Sequence, residues 1–169
     1  MKKLLILLSF GAFLFAETPE LERLKTCYLE DNMSCGINYA RLLKEKGMNE
    51  ESATVYLDLS LKGSYAATRE LSKFYIYETK GIPQDCKKGV AILLNSVATK
   101  ATKETLPSYM EISTLFKKGI CLKQDDAKAK KYKDIYLEKS KQIRKGEQKW
   151  LCQQMSSKKL YIQKKMRFM

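Results

Sequence analysis

The sequence predicts an all-α protein built as a solenoid of stacked antiparallel helix hairpins. Signals that stop one helix and start the next recur, as at Gly47 with Asn49 and at Gly63 with Ser64. No stretch alternates apolar and polar residues as a half-buried strand does, and no Asn-Gly or Asp-Gly hairpin turn occurs. Related segments recur at spacings of 36 and 40 residues, which indicates repeated helix pairs.

The N-terminus resembles a secretory signal. Lys2 and Lys3 precede an apolar run from Leu4 to Phe15, and Ala16 supplies the small residue that a signal peptidase needs. About a dozen apolar residues are too few to cross a bilayer comfortably, so residues 1–16 are predicted to be cleaved, with an uncleaved anchor as the alternative. No second apolar segment of spanning length follows. We therefore expect a periplasmic or secreted protein without a transmembrane segment after cleavage.

The mature chain is predicted to hold one helical repeat domain, residues 17–145, and a basic capping helix or tail, residues 146–169. Thr18-Pro19-Glu20 is typical of a helix start, and Asp85 and Asp125 are candidate caps of later helices. The predicted helices cover residues 19–31, 34–46, 50–62, 64–79, 86–101, 106–118, 125–144 and 147–165.

The self-similarity has a physical basis in helix packing. A small residue is followed three positions later by a large one in three segments, which start at Ala53, Gly89 and Ala129. A lone helix hairpin cannot bury its apolar face, so hairpins stack and share one core. The small residue lets the preceding helix approach closely, and the large residue fills the remaining space.

Two segments carry a more specific pattern, in which Gly-Ile, a short loop and Asp-x-x-Lys lead into the second helix. They are Gly81-Ile82 with Asp85-Cys-Lys-Lys88-Gly89, and Gly119-Ile120 with Asp125-Asp-Ala-Lys128-Ala129. This pattern resembles the Sel-one-like repeat, a relative of the tetratricopeptide repeat, over about residues 27–140. The resemblance implies a right-handed solenoid whose first helices line a concave groove. Gly89 departs from the Ala usual in the family.

Five cysteines in an exported chain are expected to form disulfides and to leave one thiol over. Cys27 and Cys35 lie too far apart for a bridge on one unbroken helix, but a turn at Asp31-Asn32 would bring them together. Their spacing at a helix junction resembles the secreted cysteine-rich Sel-one-like proteins of Helicobacter and its relatives, which implies the pairing Cys27–Cys35.

The remaining cysteines leave an alternative open. Cys86 and Cys121 are 35 residues apart, about one repeat, and stacking brings equivalent loops near each other. We therefore predict the pair Cys86–Cys121, with Cys121–Cys152 as the competing pair. In the first case Cys152 is expected to be a small buried apolar side chain.

The sequence carries no complete catalytic motif and predicts no cofactor and no metal. Histidine is absent, which excludes Ser-His-Asp and Cys-His catalysis and zinc sites with histidine ligands. A Ser-x-x-Lys motif occurs at Ser156–Lys159, but the further motifs of a penicillin-type acyl enzyme are missing. We interpret that stretch as part of a polar tail.

The predicted function is an exported scaffold that binds a protein or a peptide. By helical spacing and polarity, the groove candidates are Asn38, Arg41, Glu70, Lys73 and Tyr77. The resemblance to the cysteine-rich family implies one alternative, a weak β-lactam-binding or β-lactamase-type hydrolase, with no residue signature to carry onto this chain.

Charge is distributed unevenly along the chain. Residues 17–60 carry a net charge of −4, residues 61–99 carry +3, and residues 100–169 carry +12. The partner is therefore expected to be acidic, or to be an anionic surface of the cell envelope, and its binding should be sensitive to salt. An exported protein rarely meets chromosomal DNA, so no nucleic acid is expected. The tail 158–169 is expected to cap the last hairpin, with an anionic membrane surface as the alternative.

Overall fold

The computed structural model describes residues 18–98 and 101–167, with side chains described as far as Met155. Within this part of the chain the fold is all-α, apart from one isolated bridge between Thr79 and Ile82. The helices are α1 (Pro19–Leu29), α2 (Met33–Glu45), α3 (Asn49–Leu61), α4 (Tyr65–Ile76), α5 (Cys86–Asn95), α6 (Leu106–Lys118) and α7 (Asp126–Arg167). The predicted signal segment, residues 1–16, lies outside the described residues.

The helix ends follow the predicted signals. Asn32, Ser64 and Asp85 accept hydrogen bonds at the N-termini of α2, α4 and α5 from backbone N–H groups three residues further on. Gly47 and Gly63 adopt φ of 79° and 91° just after α2 and α3, in the left-handed region that glycine enters without strain. The predicted start of α3 at Asn49 is close to the observed one, where Met48 stands at the N-cap.

The two predicted C-terminal helices form one helix instead. α7 runs unbroken for 42 residues and passes through the predicted break near residue 146. Gly146 lies at this point, but a single exposed glycine weakens a helix by only about 1 kcal/mol. The Lys- and Gln-rich sequence on both sides favours helix enough to continue through it.

Each helix packs chiefly on its neighbour in the sequence, with the most extensive contact between α6 and α7 and the least extensive between α5 and α6. Two apolar clusters result. The first belongs to α1–α4 and contains ten buried residues, with Leu21 at one end and Phe74 at the other. The second begins two residues later at Ile76, continues through α5 and α6, and packs against Tyr132 of α7. α4 therefore contributes to both clusters.

The two segments with the Asp-x-x-Lys pattern fold alike. The backbone N–H of Asp85 donates to the carbonyl of Tyr75 at 2.9 Å, and its side chain accepts from the N–H of Lys88. The ammonium of Lys88 then lies 4.0 Å from the ring centroid of Tyr75.

The same arrangement recurs one segment later. The N–H of Asp125 donates to the carbonyl of Phe116 at 3.0 Å, its side chain accepts from the N–H of Lys128, and the Lys128 ammonium lies 5.4 Å from the Phe116 ring centroid. Each aspartate thus closes the loop and caps the helix, and each lysine covers an aromatic ring of the preceding helix.

Helix α4 approaches α5 closely at Gly89, the small residue of a predicted repeat. A Cβ added at Gly89 would lie 2.7 Å from Cγ1 of Ile76 and 3.0 Å from the carbonyl oxygen of Ser72. The equivalent Ala129 of α7 is buried, with 5% of its surface exposed. The helices at Gly89 are therefore too close for the methyl group that fits at Ala129.

Both preferred cysteine pairings are present. Cys27 is joined to Cys35 across the turn between α1 and α2, with the Cα atoms 5.7 Å apart, and Asp31 in that turn adopts φ of 61°. Cys86, at the start of α5, is joined to Cys121, in the loop after α6. Cys152 stands outside both bridges and is exposed on α7, so the prediction of a small buried side chain there is wrong.

Candidate interaction site

The predicted groove residues on α2 lie next to each other. The guanidinium of Arg41 donates to the side-chain oxygen of Asn38 at 3.2 Å, as the spacing of three residues on a helix allows. Arg41 and Asn38 are both exposed. This leaves the remaining donors of Arg41 open to a partner.

The same two residues line a shallow cleft between α1 and α2. Its volume is about 220 Å³. The other lining residues are Glu20, Arg23 and Leu24 of α1, and Leu42 and Glu45 of α2. The cleft is therefore lined by acidic, basic and apolar side chains, a mixture that suits a short polar segment better than a compact apolar ligand.

On α4 the predicted residues Glu70 and Lys73 belong to a half-buried ion cluster. The Lys73 ammonium lies 3.0 Å from Oε1 of Glu70, and Nη2 of Arg69 lies 3.1 Å from the same oxygen. Burial alone would raise the pKa of Glu70, but the hydrogen bonds and charges of Lys73 and Arg69 outweigh it and lower that pKa. Glu70 is thus held ionised and in a fixed position between two cations.

Tyr56 of α3 lies within electrostatic range of charged side chains on both α2 and α4. Its side chain is buried, and burial together with the negative charge of Glu70 raises its pKa to about 12. Arg41 and Arg69 act on Tyr56 in the opposite direction. The hydroxyl therefore lies within the electric field of Arg41 on α2 and of Glu70 and Arg69 on α4. We call Arg41, Arg69, Glu70 and Lys73 the charged band.

Tyr77, the fifth predicted residue, has a different partner. It follows α4, and its hydroxyl donates to Oε1 of Glu111 on α6 at 2.7 Å. Burial and this hydrogen bond raise the pKa of Tyr77 well above its usual value. Because its partner Glu111 lies on α6, Tyr77 extends the polar surface toward that helix. Among the described residues, no hydrogen bond or ion pair joins the side chain of Tyr77 to that of Glu70 or Lys73.

Sequence reasoning missed Arg69 and Glu111 on this surface, and it missed the buried Tyr56, whose pKa is influenced by Glu70 and Arg41. Arg69 directly precedes Glu70 and could have been found by local charge pairing. The pairing of Tyr77 with Glu111 spans 34 residues, about one repeat, and only the stacking of helices reveals it.

A larger cleft lies elsewhere, in the loop after α4. It has a volume of about 620 Å³ and is lined by residues 78–84 alone. None of the five predicted groove residues lines it. Asn49 at the start of α3 holds this loop by donating to the carbonyl of Lys80 at 2.9 Å.

Metal sites and membrane-spanning helices are absent from the part of the chain that the structure describes. No group of three or more metal-ligating side chains occurs there. No helix among the described residues is both long and apolar enough to cross a membrane. The Ser-x-x-Lys motif at 156–159 lies outside the residues whose side chains are described.

Comparison with known proteins gives no relative for this chain. No protein-family model, no curated protein and no solved structure matches it.

Proposed function

We propose that this chain is an exported scaffold of Sel-one-like repeats that binds a protein or a peptide on the surface formed by α2 and α4. The charged band around Tyr56 carries the proposal. It combines an exposed Arg41 with a Lys73–Glu70–Arg69 cluster that burial and ion pairing hold in place. Such a surface presents fixed donors and acceptors to a polar partner without rearrangement.

The repeat architecture is proposed from packing and from recurrence. Helices that contact chiefly their neighbours in the sequence are typical of solenoids. The Asp-capped loop with a lysine over an aromatic ring occurs twice, around Asp85 and around Asp125, at a spacing of one repeat. A right-handed stack of antiparallel hairpins accounts for both observations.

Export is proposed from two observations, the disulfides and the sequence of the N-terminus. The disulfides Cys27–Cys35 and Cys86–Cys121 favour an oxidising compartment, because such bridges are rare in the cytosol. The first sixteen residues have the composition of a secretory signal. A periplasmic or secreted location fits both.

A binding experiment with paired variants tests the proposed surface. The mature protein, immobilised, is used to capture partners from the envelope fraction of the native cell. R41A/K73A removes two cations from the proposed surface, and K130A/K133A removes two exposed cations from α7 as a control. We expect the first variant to lose about tenfold or more of the captured partner and the control to keep it. Equal loss from both variants would show that net charge alone drives capture.

The same protein preparation tests the alternative that the family resemblance implies. Nitrocefin changes colour when its β-lactam ring is opened. Sustained turnover would contradict a function limited to scaffolding and would favour the hydrolase. We expect no turnover above that of a heat-denatured sample.

A further inference from the structure

Helix α7 is much longer than the helix it packs against. Its 42 residues extend about 63 Å, whereas the 13 residues of α6 extend about 20 Å. Lys103, just before α6, reaches α7 at Glu147, where the two side chains pair at 2.8 Å. All residues from 144 to 155 are exposed. We call residues 144–155 the overhang.

The overhang exposes large apolar side chains. Trp150 is 59% exposed, Leu151 is 53% exposed and Met155 is 70% exposed. Trp150 lies five helical turns after Tyr132, so both residues lie on the same face of α7. Tyr132 packs against the ring of Phe116 at a centroid distance of 5.8 Å. The face that α6 covers at Tyr132 therefore continues to Trp150, which lies beyond the N-terminal end of α6.

Cations surround this apolar face. On a helical projection Lys139 lies beside Trp150 and Lys141 lies beyond Met155, while Arg144 lies on the apolar face itself, two turns before Leu151. Glu147 is the single acidic residue between 139 and 155, and Lys103 pairs with it. Beyond the overhang, residues 156–167 add five cations and no acid.

We propose that the overhang binds flat on the surface of a bilayer that contains anionic phospholipid. Trp150, Leu151 and Met155 would enter the boundary between headgroups and acyl chains, and the flanking lysines and Arg144 would meet the lipid phosphates. The apolar side chains spread over more than a third of the helix circumference, which fits a fluid planar surface better than a narrow pocket. A second copy of α7 is disfavoured as the occupant, because its like charge would repel.

The chain provides its own probe for this interaction. Trp150 is the single tryptophan of the sequence, so tryptophan fluorescence reports on the overhang alone. The full-length mature protein is mixed with vesicles of pure phosphatidylcholine, or of phosphatidylcholine with phosphatidylglycerol. We expect a blue shift of the emission and co-sedimentation with the second kind of vesicle only.

A pair of matched variants separates the overhang from the net charge. L151D/M155D places two negative charges on the apolar face and keeps Trp150 as the probe. L29D/L61D adds the same two charges at leucines that are 73% and 80% exposed on α1 and α3. We expect L151D/M155D to bind anionic vesicles at least about tenfold more weakly and L29D/L61D to bind within about twofold of the wild type. Circular dichroism checks that both variants remain folded.

Three results would overturn the proposal. The first is the absence of a blue shift with anionic vesicles. The second is an equal loss of binding in the two variants. The third is an equal blue shift with soluble polyglutamate, which would assign the overhang to an acidic protein rather than to lipid.

Discussion

A methyl group added at Gly89 would clash with the backbone and side chain of α4. The nearest atoms would be Cγ1 of Ile76 at 2.7 Å and the carbonyl oxygen of Ser72 at 3.0 Å. Alanine favours a helix over glycine by about 1 kcal/mol, but overpacking against backbone costs about 1–3 kcal/mol. We therefore expect Gly89→Ala to lower the free energy of unfolding, measured by urea denaturation.

Gly146 provides the control for that substitution. It also lies inside a helix, but a Cβ there would meet no atom within 4 Å. Gly146→Ala should therefore raise helix stability by about 0.5–1 kcal/mol, seen as greater helical ellipticity. If both substitutions stabilise the protein, the close approach of α4 and α5 at Gly89 is not a packing constraint.

Two buried serines on α6 should respond to substitution in opposite directions. The hydroxyl of Ser113 donates to the carbonyl of Ala129 at 2.7 Å, whereas the buried hydroxyl of Ser108 has no hydrogen-bond partner. Ser113→Ala should lower the free energy of unfolding by about 1 kcal/mol, because it removes a hydrogen bond and leaves a carbonyl without that donor. Ser108→Ala should be neutral or stabilising by about 1 kcal/mol, because a desolvated hydroxyl is removed.

At the scale of helices, the hydroxyl of Tyr28 connects α1 to an ion pair at the end of α3. The hydroxyl of Tyr28 donates to Oδ2 of Asp58 at 2.6 Å, and Lys62 lies 3.2 Å from the same oxygen. The hydrogen bond from Tyr28 is the main cause of a lowered pKa of Asp58, and burial with that bond raises the pKa of Tyr28 to about 12. Both shifts show that the pair is stabilised with Asp58 ionised and Tyr28 protonated.

The pH dependence of this contact follows from the two shifts. Asp58 has a lower pKa in the folded state, so its contribution is present above its ordinary pKa of about 4 and is lost as pH falls through the folded value. Tyr28 has a raised pKa, so its contribution is complete below about pH 10 and is lost as pH rises toward 12. Tyr28→Phe should lower stability at neutral pH by about 1 kcal/mol and by less in acid.

Tyr132→Phe on α7 is the matched substitution, since it removes one hydroxyl from another tyrosine whose ring is packed. Urea denaturation across the acid range compares the two variants. The difference from wild type should shrink below about pH 4 for Tyr28→Phe. A difference that stays constant over this range would contradict the role assigned to Asp58.

Helix ends were predictable from the sequence where a local signal sets them. The Asp85 and Asp125 caps, the glycines after α2 and α3, and the Pro19 start all act within a few residues of the end they define. The predicted break between residues 144 and 147 does not form, because the cost of one exposed glycine is small compared with the favourable propensity of a long Lys-rich helix. A glycine ends a helix through a left-handed turn, and the sequence alone does not show whether that turn forms.

The candidate site was predictable only within single helices. Asn38 with Arg41 and Glu70 with Lys73 are neighbours at a spacing of three residues, and both pairs form as the helix periodicity requires. The hydrogen bond from Tyr77 to Glu111 depends on how far one hairpin is shifted along the next. That shift follows from packing at positions such as Gly89, which residue spacing does not encode.

For the molecule as a whole, the weakest junction lies between α5 and α6. Among helices adjacent in the sequence these two make the least extensive contact, although both contribute to the second apolar cluster. The Cys86–Cys121 disulfide and the Tyr77–Glu111 hydrogen bond both cross this region. They link α4 and α5 to α6, so they connect the N-terminal helices to the α6–α7 pair.

Removing each disulfide should therefore have different consequences for unfolding. Cys86–Cys121 closes a loop of 35 residues and contributes about 4 kcal/mol by chain entropy, whereas Cys27–Cys35 spans 8 residues and contributes about 2–3 kcal/mol. In the proposed solenoid, stability is a sum of local terms and neighbour contacts. We expect C86S/C121S to separate unfolding into two transitions, with α6 and α7 losing hydrogen-exchange protection before α1–α4.

C27S/C35S is the matched control, because it also replaces two bridged cysteines but at the outer end of the stack. It should loosen α1 first and leave the protection of α6 and α7 unchanged. The reason is that, in the described part of the chain, α1 makes no extensive contact with α7. Hydrogen exchange followed by mass spectrometry resolves the two outcomes helix by helix. If the two variants unfold in the same single transition, the helices form one cooperative unit and the α5–α6 junction is not the weak point.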